Sequence, residues 1–172
     1  HHECEIAQSE CATGKPFVRY WIHNNLVTAN AQKMSKSLGN TILLKDLYKK
    51  YDPMVVRFFI LQSHYRGTLD FSESALDGAK AGLDRLRNTL RNLDRRIGDG
   101  APGGLAADDR SPEIEKFRNE FMAAMDDDFN TSKAIAALFD FTTRVNDALA
   151  APPTATGTLA GIKKAMDEPA GN

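Results

Sequence analysis

The sequence has no long apolar run. Nothing in its 172 residues approaches the roughly 20 consecutive apolar residues needed to cross a bilayer. No secretory leader or lipidation signal is legible, so a cytoplasmic protein with no membrane partner is expected. Cysteine is scarce. Cys4 and Cys11 are the only two, seven apart on one predicted helix and about 10 Å apart along its axis, which is beyond disulfide reach. Reduced thiols fit a cytosolic chain. An initiator Met is also missing. The chain opens His1-His2-Glu3, too few histidines for a typical tag and continuous with a patterned helix, so residue 1 is read as an internal start with natural protein upstream. There is no internal repeat and no strong charge of either sign, the net being −1. That balance hides an asymmetry: residues 1–98 hold 15 Lys/Arg against 10 Asp/Glu, and residues 99–172 hold 7 against 13. A half with a net of +5 suits a polyanion but is too modest to establish one. The remaining composition, 42% hydrophobic and 26% charged, is that of one medium globular domain or two small ones.

The most informative stretch is Lys33-Met34-Ser35-Lys36-Ser37-Leu38-Gly39-Asn40. It is too polar for a core strand and too rich in loop formers for a helix interior. It offers two ammonium groups, two hydroxyls and several backbone N–H groups to one anion, which is what developing charge on a phosphate requires. A solvated surface turn is the alternative for a bare K-x-x-K; the full run is far rarer by chance.

Around it the pattern is mainly helical. Residues 1–13 read as a helix capped by Gly14 and stopped by Pro16. His1 and Glu5 lie one turn apart on it, either as an exposed pair or as two positions of a metal site; zinc accepts both donors but needs about four. Phe17–His23 reads as a strand with Trp21 as anchor, Asn24-Asn25 as a turn, and Leu26–Thr28 as a second short strand. A turn over 29–32 leads to the lysine loop. Thr41–Tyr51 reads as a short amphipathic helix with Ile42, Leu43, Leu44 and Leu47 inward. Asp52-Pro53 is an N-cap followed by Pro at the first helical position, and the apolar helix to about His64 is the expected centre of the basic half. His64 and Arg66 either touch a phosphate or satisfy a helix end. Leu69–Glu73 opens another helix with Ser72 as N-cap. Residues 73–97 carry leucines at three- and four-residue spacing, with Arg85, Arg87, Arg91, Arg95 and Arg96 opposite. Those arginines are either paired with Asp84 and Asp94 or available to an RNA backbone. Residues 98–111 read as a linker. Helices are expected from Ser111-Pro112 to about Met125, over 132–150, and weakly over 158–167. Asp126–Thr131 lacks the Gly and distal Glu of a calcium loop and is expected to cap a helix.

Several of these segments resemble, in order, landmarks of the cysteinyl-tRNA synthetases, a class I family. His1–Glu10 resembles their HHENEIAQSE helix. Lys33–Asn40 matches their KMSKSLGN loop letter for letter. Tyr51-Asp52-Pro53, Ser63–Arg66, Leu69–Glu73 and Asp126–Thr131 resemble later landmarks. The resemblance implies a mainly α chain: the C-terminal remnant of a Rossmann-like α/β catalytic domain with its stem-contact region (1–70), then an antiparallel helix bundle that binds tRNA (71–172). It implies ATP-dependent activation of L-cysteine and its transfer to tRNA(Cys) by a cytoplasmic monomer. Lys33 and Lys36 would be catalytic, and both would hold ATP together with Ser35 and Ser37. Mg²⁺ would accompany the nucleotide. His1 and Glu5 would supply two of four zinc ligands, the others lying upstream. Family Asn is replaced by Cys4. The HIGH-type signature, the upstream zinc cysteines and the final anticodon-recognising domain are not in this sequence, so the chain reads as an internal fragment unable to aminoacylate alone. A cysteine–amino-sugar ligase of mycothiol biosynthesis and a non-catalytic tRNA-binding fragment are the alternatives.

Overall fold

The computed structural model describes residues 2–100, 112–150, 162–163 and 166–167. Helix α1 (Glu3–Thr13) comes first, then an extended stretch and a small sheet of β1 (Val27–Ala29), β2 (Gln32–Lys33) and β3 (Leu69–Phe71). A 3-10 turn (Lys36–Leu38), α2 (Leu44–Lys50) and α3 (Pro53–Leu61) lie between β2 and β3. Three long helices complete the molecule: α4 (Glu73–Gly100), α5 (Pro112–Asp126) and α6 (Thr131–Ala150). The expected mainly helical architecture with a small α/β element is therefore what the chain adopts.

Local chemistry sets most of the helix ends. Gly14 takes φ 65° and returns its N–H to the Glu10 carbonyl, a left-handed closure that glycine adopts without Cβ strain. The Asp52 carboxylate accepts from the Met54 N–H at 2.8 Å, with Pro53 at the first position of α3. Ser72 Oγ accepts from the Ala75 N–H at 3.3 Å and so caps α4. Asn130 Oδ1 accepts from the Lys133 N–H at 3.1 Å at the head of α6.

The strands depart from expectation. Phe17–His23 forms no strand. β-propensity needs a ladder partner to become a strand, and the ladders among the described residues join β1 to β2 and β3 without this run. Trp21 stays 44% exposed and stacks on His2 and His23, with ring centroids 5.3 and 5.8 Å away. The hairpin turns at Asn30-Ala31, not at Asn24-Asn25: β1 and β2 are antiparallel, with Thr28 opposite Lys33 and Ala29 opposite Gln32. The third strand is Leu69–Phe71, which the sequence placed at the start of a helix. It runs parallel to β1, with Thr28 opposite Asp70, and the sheet order is β2-β1-β3.

Two apolar cores share α4. The first gathers Val55, Val56, Phe58 and Phe59 of α3 with Phe71, Leu76, Ala79 and Leu86. The second gathers Leu93 with Ile114, Phe117, Phe141, Val145 and Ile162; Phe117 and Phe141 stack at 4.5 Å. The first core thus takes residues from both sides of position 70. α4 runs on to Gly100, through the first residues expected to be linker; 101–111 lie outside the described residues, as does most of the weak helix expected over 158–167. α2 is shorter than expected. Ile42 and Leu47 pack on the first core, but Leu43 and Leu44 stay about half exposed because the helix begins only at Leu44 and turns those two side chains outward.

Candidate functional site

The lysine loop leaves the sheet directly from β2, whose last residue is Lys33. The two-residue turn before it places Asn30 at φ 51° and Ala31 at φ 61°. Both positive values are what a tight hairpin with the right-handed strand twist demands. Asn tolerates this conformation; for Ala31 it costs roughly 1–2 kcal/mol, which something outside the turn must offset. The Asn30 N–H donates to the Phe71 carbonyl at 3.2 Å. One Asp70 carboxylate oxygen accepts from the Thr28 hydroxyl at 2.6 Å and from the Ala31 N–H at 2.7 Å. These two donors, the hydroxyl foremost, hold the Asp70 carboxyl below the usual carboxylate range.

Asn40 closes the loop itself. Its Oδ1 accepts from the Ser35 N–H at 2.8 Å, and its Nδ2 donates to the Lys33 carbonyl at 3.1 Å. Gly39, at φ 64°, allows the sharp return that brings Asn40 back over Lys33. The Ser35 and Ser37 hydroxyls lie 3.2 Å apart, and Ser35 Oγ also accepts from the Leu38 N–H at 3.3 Å. Fewer loop groups are therefore free than the sequence led one to expect: the Ser35 and Leu38 amides and both hydroxyls are engaged within the loop. The Lys33 ammonium is exposed and has no partner among the described residues. Lys36 sits in the 3-10 turn, its side chain lying outside the described residues. The loop thus presents at least one free cation on a closed, internally braced backbone, an arrangement suited to an anionic ligand.

On α1, Glu5 is exposed and lies 3.6 Å from His2 Nδ1. His2 also stacks on Trp21 and His23, which ties the head of α1 to the extended stretch. His1 lies outside the described residues. Cys4 is exposed. No group of three or more His, Cys, Asp or Glu that could hold a metal occurs among the described residues. Of the two expected zinc ligands only Glu5 lies within the described residues; its carboxylate is an ordinary zinc donor, and it faces His2 Nδ1.

The acidic run of residues 126–128 is a joint. Asp128 and Phe129 take φ 55° and 53°, which turns the chain from α5 into α6. The Asp128 carboxylate accepts from Arg66 Nε at 2.5 Å, from Arg66 Nη2 at 3.2 Å and from the Tyr65 hydroxyl at 2.6 Å. Those donors, Arg66 first, hold its carboxyl down at about 2. Arg66 thus links the segment before β3 to the helical bundle through Asp128, and does not serve to satisfy a helix end. The α4 arginines do not pair with Asp84 and Asp94, which bind Lys80 and Lys163. Arg87 binds Asp52, and Arg85 donates to the Thr143 hydroxyl at 3.0 Å. Arg95 and Arg96 line an open polar hollow with Asn92 and Asn146.

Asp70, Asn40 and Asp128 are the site-shaping residues that sequence reasoning passed over. The signal for Asn40 lay in its closing position after Gly39. Asp70 and Asp128 act on partners about 40 and 60 residues away in the chain, where no local pattern reaches.

The chain that carries this loop on a hairpin of a small mixed sheet, followed by a helical bundle, matches profiles of the class I tRNA synthetases. Residues 1–81 match the family profile for the tRNA synthetases class I (C) catalytic domain, and residues 120–171 match that of the DALR domain. The chain is 56% identical over 153 residues to the cysteine–tRNA ligase of Chlorobium luteolum, covering 88% of this chain and 30% of that protein. It is 47% identical over 171 residues to that of Chlorobaculum tepidum, covering 99% and 33%, and 46% identical over 168 residues to that of Geobacter sulfurreducens, covering 97% and 35%. The fold is similar to that of a leucyl-tRNA synthetase solved in a ternary complex from Agrobacterium radiobacter K84, with a TM-score of 0.60 and 21% identity over 84% of this chain and 20% of that one. The chain belongs to the cysteine–tRNA ligase family and spans about a third of the length of these curated relatives. Among the described residues no helix is long and apolar enough to cross a membrane.

Proposed function

We propose that this chain is part of a cytoplasmic, monomeric enzyme that activates L-cysteine with ATP and transfers it to tRNA(Cys). Residues 1–70 serve the adenylation site and the stem contact, and residues 71–172 serve as the tRNA-binding bundle. The observation that carries this reading is the braced lysine loop, with Lys33 free at the end of β2, in a chain 46% to 56% identical to cysteine–tRNA ligases. The DALR match over residues 120–171 supports tRNA over an amino sugar as acceptor.

In the first step the cysteine carboxylate attacks the α-phosphorus of ATP. The bond to the bridging oxygen breaks, and pyrophosphate leaves with the electron pair and the charge. Lys33 and Lys36 meet that charge with their ammonium groups, and Ser35 and Ser37 exchange their mutual contact for the triphosphate. Mg²⁺ arrives with the nucleotide. In the second step a terminal ribose hydroxyl of the tRNA attacks the cysteinyl carbonyl, loses its proton and releases AMP. His1 and Glu5 would hold zinc, with the remaining ligands supplied from outside these residues. Zinc, when bound, supplies a site that takes thiolate sulfur in strong preference to a hydroxyl, which separates cysteine from serine where a pocket of similar size would not.

The test is transfer of labelled cysteine to tRNA by the corresponding full-length protein, with Lys36→Ala and His1→Ala alongside. Transfer that falls in both variants is expected. ATP use with an amino-sugar acceptor and none with tRNA would move the assignment to the ligase. Inertness toward both, with tRNA bound, would leave a binding module.

A further inference from the structure

The hairpin that launches the lysine loop cannot hold its own shape. β1 has three residues and β2 two, and a pair that short is unstable alone. Its turn contains an alanine in a left-handed conformation, which alanine disfavours. What braces the turn comes from the far side of the sheet, 39 residues along the chain: the Asp70 carboxylate, on the Thr28 hydroxyl and the Ala31 amide. We propose that Asp70 is a positioning residue for adenylate formation, its carboxylate fixing the turn so that Lys33, two residues beyond Ala31, is presented to the triphosphate. This inference rests on the function proposed above.

Three observations separate this from a general structural role. Asp70 is exposed, so removing its side chain opens no cavity in either core. Its neighbour Phe71 is buried and packs edge-on against Phe59 at 4.8 Å, so the β3 backbone stays anchored without the carboxylate. The two bonds from Asp70 both end on the β1–β2 hairpin and touch no other element. The same strand runs straight into α4 through the Ser72 cap. The carboxylate therefore joins the lysine loop to the long helix that bears the arginines.

The test uses cysteine-dependent ATP–pyrophosphate exchange by the corresponding full-length protein, in wild type, Asp70→Ala, Asp70→Asn, Lys33→Ala and the Asp70→Ala/Lys33→Ala double variant. Asp70→Ala is expected to lower kcat about tenfold, roughly the effect of losing one net hydrogen bond's worth of orientation, with KM for cysteine unchanged. Asp70→Asn keeps an acceptor oxygen at the same place and stays near wild type. The double variant is no slower than Lys33→Ala alone, because the clamp acts through that lysine. An unchanged Asp70→Ala enzyme, or a double variant that loses the product of the two single effects, overturns the proposal. If Asp70→Ala also exposes the Leu93 amide to exchange in the second core, folding has failed, and the Asp70→Asn enzyme decides: full activity supports the clamp, and a tenfold loss in a folded protein refutes it. A wild-type protein without exchange activity defeats the functional reading itself, which an active wild type with an indifferent Asp70 does not.

Discussion

Replacing Asn40 by Ala tests whether the lysine loop is braced from within. The side chain makes two hydrogen bonds that close the loop, one from the Ser35 amide at 2.8 Å and one to the Lys33 carbonyl at 3.1 Å. Each is neutral and partly exposed to water, so each contributes about 0.5–1.5 kcal/mol net. Alanine removes both and leaves a short loop with its ends fixed at β2 and α2. Opening should become easier by about 1–3 kcal/mol, a factor of roughly 5–150 in the open population. Native-state hydrogen exchange of this chain reads that change at the Ser35 amide, whose protection should fall by about that factor. The Phe59 amide in the first core is the internal standard and should not move. Asn40→Asp keeps the acceptor for Ser35 but loses the donor to Lys33, and should fall between wild type and Asn40→Ala. Unaltered exchange at Ser35 would refute the bracing argument; equal loss at Ser35 and Phe59 would show that the variant had perturbed the fold as a whole.

Two further outcomes follow from the packing and the joint. Phe117→Ala removes a fully buried ring stacked on Phe141 at 4.5 Å and should cost about 3–5 kcal/mol in urea unfolding, with the loss confined to the second core if the two halves of α4 unfold separately. Asp128 is held down at about 2 from the ordinary 3.8 by Arg66 and Tyr65. Its folded value lies below its unfolded one, so its stabilising contribution is complete above about pH 4 and is lost as the pH falls through about 2. A plot of melting temperature against pH should drop across that window in wild type and lie flatter there in Asp128→Asn; equal slopes would show that the carboxylate does not hold the joint.

The helices could be read from the sequence because their signals are local. Gly14 closes α1, Asp52-Pro53 opens α3, Ser72 opens α4 and the leucine spacing defines its buried face, each within one or two turns of the residues it governs. The lysine loop was equally legible, since its residues are contiguous. The small sheet was not. Phe17–His23 has the composition of a strand and forms no strand. Leu69–Phe71 becomes a strand only because β1, more than forty residues earlier, lies beside it. A helix satisfies its own backbone, whereas a strand depends on whatever the rest of the chain brings next to it.

The amino-acid sequence by itself determined the class of the fold, the family, the lysine loop and the position of most helices. Only the tertiary structure decided how that loop is held: Asn40 closes it, Asp70 braces the turn behind it, and Asp128 binds the preceding segment to the bundle through Arg66 and Tyr65. A carboxylate carries no mark of its eventual partner. Whether it becomes a surface charge or a clamp depends on which donors lie within about 3 Å of it once the chain has folded, and those donors come from distant parts of the sequence.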